Sequence, residues 1–85
     1  LTCIDFKNKS IQRKFHLIVA NLFLNNLKKI ASDINRFTFK GGYFIASGII
    51  KAQKNEIISY YTKFNFKLLK TDCIDEWVSL LFIKN

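Results

Sequence analysis

Few residues in this sequence could do chemistry, and two of them stand in equivalent places. Asn21, followed by Leu22, closes the apolar run FHLIVAN (Phe15 to Asn21), and Ser47 with Gly48 closes YFIAS (Tyr43 to Ser47). In open α/β sheets, ligands bind outside the carboxyl ends of the strands, so polar residues delivered there are placed to act. By residue type alone, an asparagine at a strand end is a turn former or a helix cap, and a role in a site is the alternative. The other candidates are weaker. His16 is the only histidine, has no serine or cysteine partner at useful spacing, and reads as a structural residue within the buried run. Asp72, Asp75 and Glu76 cluster where a turn is expected; solvated acids are common there, and no second acid is placed as a partner. The KGG segment matches neither GxGxxG nor GxxxxGK[ST], so it is not a phosphate loop. Cys3 and Cys73 are too few for a disulfide framework and lack CxxC spacing, which gives no support to metal binding and suits a reduced, cytosolic compartment. Trp77 reads as a core or rim aromatic.

The elements that must position these residues follow from periodicity. FHLIVAN has no Gly or Pro and fits a strand buried on both faces. From Leu24 the period changes: Leu24, Leu27, Ile30, Ala31, Ile34 and Phe37 share one helical stripe while Lys28, Lys29, Asp33 and Arg36 face away, with Asn25 or Asn26 as cap. FKGG is expected to break this helix. YFIAS is a second short strand. A second helix carries Ile50, Ile57, Ile58, Tyr61 and Phe64 on one face, with Asn65 as a left-handed cap. FKLLKTDC and WVSLLFIK, separated by IDE, read as an antiparallel strand pair. Ahead of these, Leu1 to Phe6 reads as extended and Lys7 to Lys14 as a polar connection. Strands alternating with helices predict an α/β fold with a mostly parallel sheet and an antiparallel last strand.

Composition bounds the rest. An 85-residue chain of 49% hydrophobic content has room for one domain. The net charge of +8 ordinarily suggests nucleic acid or an anionic membrane. Here Lys, Ile, Asn and Phe, all encodable by A and T alone, make up 41 of the 85 residues, and the lysines are scattered. The charge therefore argues weakly for nucleic acid, although Tyr43, Tyr60 and Tyr61 among lysines keep a small nucleic-acid-binding module as the alternative reading. No apolar run reaches the roughly 18 residues of a membrane span and the start has no signal-peptide layout, so the chain reads as soluble and intracellular. There is no methionine and the chain opens on Leu1, which reads as the tail of a longer coding sequence.

Three segments, FHLIVANLFLNNL, KGGYFIASGIIKAQ and EWVSLLFIKN, resemble the carboxyl-terminal half of the methyltransferases of large-subunit ribosomal protein eleven, the PrmA family. VAN at Val19 to Asn21, SGI at Ser47 to Ile49 followed by Gln53, and EW at Glu76 and Trp77 occur in the family's order. The resemblance implies a class I, Rossmann-like enzyme using S-adenosylmethionine on amino groups, lysine or amino terminus, of a ribosomal protein. It implies that the chain is one incomplete domain over residues 1–85, strands three to seven of a sheet ordered three, two, one, four, five, seven, six.

Asn21-Leu22-Phe23-Leu24 is similar to the motif that ends the fourth strand in amine methyltransferases. In-line methyl transfer needs a neutral amine held roughly 3 to 3.5 Å from the methyl carbon. By resemblance, the Asn21 amide oxygen and the Leu22 carbonyl accept the amine's N–H bonds and stabilise the charge that develops on nitrogen. A carboxamide accepts such bonds without adding a full charge. Asn21 and Asp5 are also the residues implied to lie near the cofactor. Strands one and two, with the Gly-rich cofactor loop, have no counterpart in the sequence, so the chain is expected to be inactive alone. Its fourth strand is expected to keep an open edge available for self-association.

Overall fold

The structure, a computed structural model, describes residues 14–21 and 24–85. Four strands and two helices follow one another as β1 (Phe15–Asn21), α1 (Leu24–Phe37), β2 (Thr38–Ile50), α2 (Lys54–Thr62), β3 (Phe66–Ile74) and β4 (Trp77–Lys84), with a 3-10 turn over Lys51–Gln53 leading into α2. The expected extended segment at Leu1 to Phe6, the connection up to Arg13, and residues 22 and 23 lie outside the described residues.

The strands form one sheet in the order β1-β2-β4-β3. β1 pairs with β2 in parallel, and β4 runs antiparallel to both β2 and β3. Three strands thus point one way, and the last in sequence is inserted against them. This is the α/β class expected from the alternation of helices and strands, and the order reproduces the four-five-seven-six half of the sheet implied by the resemblance.

Alternation along the strands decides which face is the core. Ile18 and Ala20, Phe44 and Ala46, then Val78, Leu80 and Phe82 stack across β1, β2 and β4 and are buried together with Phe66. Against them pack Leu27, Ala31 and Ile34 of α1 and Ile57 and Tyr61 of α2, so both helices cover the same face. Each fully buried Leu, Ile or Phe contributes roughly 1.5–3 kcal/mol. The Tyr61 ring stacks on Phe44 at 5.1 Å, and its hydroxyl donates to the Leu27 carbonyl at 2.6 Å, tying α2 to α1. A Lys28–Glu56 ion pair spans the same two helices at the surface.

Several sequence expectations are corrected. β1 is buried on one face only: Leu17 and Val19, on the helix-free face, stay half-exposed. His16 is exposed, its ring stacked on Phe39 at 4.4 Å, at the irregular start of β1 where the register with β2 shifts between Phe15 and Leu17. Asn25 and Asn26 lie inside the first turn of α1 rather than capping it. FKGG belongs to β2, since α1 already ends at Phe37, where the Thr38 hydroxyl donates to the Ile34 carbonyl at 2.6 Å. Ile50 ends β2 instead of starting the second helix. Tyr61 is fully buried, as its place on the apolar face of the second helix implies, and is not an exposed aromatic for the nucleic-acid reading. Asn65 does adopt the left-handed conformation, at φ 69°.

Two irregularities shape β2. Between Phe15↔Thr38 and Leu17↔Tyr43 it carries extra residues, with Gly41 at φ 84° and Gly42 so close to its neighbours that a Cβ would lie 2.9 Å from the Phe39 carbonyl oxygen and 3.1 Å from that of His16. The second lies between Ala46↔Leu80 and Ile49↔Val78, where Gly48 sits at φ 78°. One extra residue there is a β-bulge, the device that re-aims a strand beside a site.

Candidate functional site

The polar residues at the carboxyl ends of β1 and β2 come together. Asn21 is the register partner of Ser47, and the Ser47 hydroxyl reaches the Ala20 carbonyl at 3.4 Å, a long contact that fastens the two strand ends. Because Ala20 points into the core, Asn21 points to the helix-free face, where it is exposed. The bulge at Gly48 interrupts pairing with β4 at that level and leaves a cleft of about 390 Å³ lined by Asn21, Gly48 and Trp77. That size is at the lower end for a small-molecule site.

The wall opposite Asn21 is Trp77. Val78 points into the core, so Trp77 faces the same side of the sheet as Asn21, and it pairs with Ile50 on one side and Ile74 on the other. The backbone on either side is fixed: the Lys51 N–H donates to the Glu76 carbonyl at 3.0 Å, and Asp75 makes the hairpin turn in the left-handed region at φ 54°. Trp77 read as a rim or core aromatic in the sequence. Its place in the cleft depends on register across the hairpin, which a linear pattern does not carry, although the EW pair was the signal that pointed to it.

The other candidates stay apart from the cleft. His16 is at the opposite end of β1. Asp72 is exposed, with the Lys70 ammonium 3.9 Å away, and Asp75 and Glu76 are exposed in the turn, as solvated acids there should be. Cys73 is a free, exposed thiol on β3. Leu22 and Asp5 lie outside the described residues. Among the described residues no three His, Cys, Asp or Glu side chains are grouped to hold a metal ion, and no helix is long and apolar enough to cross a membrane.

A parallel strand pair joined through a helix, an antiparallel last strand and a cleft at the carboxyl ends place the chain in the Rossmann-like methyltransferase fold. The crystal structure of ribosomal protein L11 methylase from Lactobacillus delbrueckii subsp. bulgaricus matches with a TM-score of 0.81 at 25% identity, covering 88% of this chain and 40% of that one. Within that fold, the chain belongs to the ribosomal protein L11 methyltransferase (PrmA) family, whose sequence profile matches residues 2–85. A ribosomal protein L11 methyltransferase of Desulforamulus reducens is 36% identical over 73 residues, 86% of this chain and 24% of that protein. One of Ruminiclostridium cellulolyticum is 35% identical over 74 residues, 87% of this chain and 23% of that protein. The chain therefore spans about a quarter of the length of these relatives.

Proposed function

We propose that this chain is the acceptor-holding part of a protein methyltransferase that moves methyl groups from S-adenosylmethionine to amino groups, lysine or amino terminus, of ribosomal protein L11. The observation that carries the reading is Asn21 at the carboxyl end of β1, exposed in a cleft with Gly48 and Trp77. The amide oxygen of Asn21 accepts an N–H bond from the incoming amine, and the Leu22 carbonyl is the second acceptor. Two such bonds fix the direction of the nitrogen lone pair. They also favour the amine as charge builds on nitrogen, without a carboxylate that would hold it protonated beforehand.

The cofactor fits less well. Its cradle in this class is a Gly-rich loop, whereas this sequence has only Gly41, Gly42 and Gly48, all within β2. The residues present suit the acceptor side of a transfer, and Asp5 is the one residue proposed near the adenine. We propose that residues 1–85 are one incomplete methyltransferase domain and do not methylate alone. Calorimetry of the isolated chain with S-adenosylmethionine should give no heat of binding in the micromolar range, and micromolar affinity would overturn this part of the reading.

A second reading rests on β1, which pairs on one side only among the described residues. An unpaired edge is a template for another strand, so self-association through β1 is expected. Of the tyrosines behind the nucleic-acid reading, Tyr61 is buried and Tyr60 is partly covered by Phe64, whereas Tyr43 stays exposed.

A further inference from the structure

We propose that Trp77 is a positioning residue for the acceptor, the wall on which the aliphatic stem of an alkylamine lies while Asn21 holds its nitrogen. This rests on the amine-holding role proposed for Asn21. Trp77 is 53% exposed and continues into Ile50 at 41% and Ile74 at 75%, its register partners on either side. Three large apolar side chains thus form a row across β2, β4 and β3, on the same face as Asn21, and the row meets the cleft at Trp77. An apolar row of this kind beside a polar group marks a ligand surface rather than scattered surface residues.

The geometry selects the class of ligand. From β1 to β4 is two strand spacings, about 9–10 Å, and from the Asn21–Ser47 level to the Ile50–Trp77 level is three residues, about 10 Å. With both side chains reaching over the cleft, what remains between amide and indole suits a short unbranched chain, such as the four-carbon stem of lysine. Among the described residues the lining, Asn21, Gly48 and Trp77, bears no charge, which suits an amine in its neutral, nucleophilic form. The indole face supplies apolar contact along the stem. Trp77 is held for this purpose by the Lys51–Glu76 backbone bond and the Asp75 turn, both independent of the indole.

Trp77 is the only tryptophan, so its fluorescence reports the site directly. The test titrates the 85-residue chain with N-acetyl-lysine N-methylamide and with the norleucine analogue, which keeps the stem and lacks the amine. Both should shift Trp77 emission saturably, the lysine probe at lower concentration. By NMR titration, Trp77→Ala should weaken both probes about tenfold, and Trp77→Phe should restore most of the loss. Asn21→Ala should weaken only the lysine probe. Circular dichroism identifies any variant that fails to fold, and the emission shift in the unaltered chain decides the matter in that event. Emission unmoved at saturation, or Trp77→Ala binding the lysine probe as well as the unaltered chain while Asn21→Ala does not, overturns the role of Trp77 and leaves that of Asn21 standing. Equal binding of both probes, lost with Trp77→Ala and untouched by Asn21→Ala, upholds the apolar wall and overturns the amine reading.

Discussion

Substituting Gly42 by alanine tests how β1 is held against β2, and hence how Asn21 is presented. A Cβ at this position would stand 2.9 Å from the Phe39 carbonyl oxygen, 3.0 Å from the Thr38 methyl carbon and 3.1 Å from the His16 carbonyl oxygen. Two of these are backbone atoms, one on each strand, so relief requires moving the strands apart. Overpacking of this sort costs about 1–3 kcal/mol. Gly41 is the matched control, since a Cβ there meets nothing within 4 Å but the residue sits at φ 84°. Its substitution by alanine carries only the left-handed backbone cost, about 1–2 kcal/mol. A chain of this size has a total stability of roughly 4–13 kcal/mol, so both effects are measurable. In urea, with a slope of about 1 kcal/mol per M, Gly42→Ala should lower the midpoint by roughly 1–3 M and Gly41→Ala by roughly 1–2 M. The two also differ in kind. Gly42→Ala should speed amide exchange along β1, from Leu17 to Asn21, whereas Gly41→Ala should leave it unchanged. A Gly42→Ala chain with the original midpoint and exchange pattern would refute the claim that close approach at Gly42 sets the β1–β2 contact.

Tyr61→Phe removes the hydroxyl that bonds the Leu27 carbonyl and should cost about 1 kcal/mol by urea denaturation. Burial, with a smaller contribution from Tyr60, holds the Tyr61 pKa above its ordinary 10.0. Its stabilisation is therefore complete below pH 10 and is lost as the pH rises beyond that, a loss the Phe variant should not show. Lys84 donates to the Asn35 carbonyl in the last turn of α1 and the Thr38 carbonyl at the start of β2; burial, then Lys14, lowers its pKa from 10.5. The unfolded chain binds the proton more tightly, so this residue makes stability rise with pH in the alkaline range below 10.5. Subtracting the pH profile of Lys84→Met should isolate that slope, and identical slopes would refute it. Size-exclusion chromatography should show association growing with protein concentration if β1 offers its edge, whereas a monomer at every concentration would rule that reading out.

The local patterns were legible because they report burial along a single element. The helical stripe of Leu27, Ala31, Ile34 and Phe37, the apolar strand ending on Asn21, the left-handed Asn65 and the returning final strand all depend on near neighbours in the chain. The family motifs VAN, SGI and EW were legible for the same reason, and they single out Asn21 as the proposed site.

What lay across elements was not. His16 went from inside to outside because a strand's phase is settled only when its partners dock. The half-exposed Leu17 and Val19 follow from both helices lying on one face of the sheet, and the exposed His16 from the register shift at the start of β1, facts about topology rather than about FHLIVAN. FKGG looked like a break, yet it joined β2 because the strand absorbs extra residues opposite β1. Trp77 gained a place beside Asn21 only through the bulge at Gly48 and the register of the last hairpin. The sequence by itself thus determined the order of the elements and the family, and offered the asparagine as a candidate, since each is written in local spacing. Only the tertiary structure decided that an indole from the end of the chain lines the same cleft as that asparagine, because strand order and register are long-range pairings that no local period encodes.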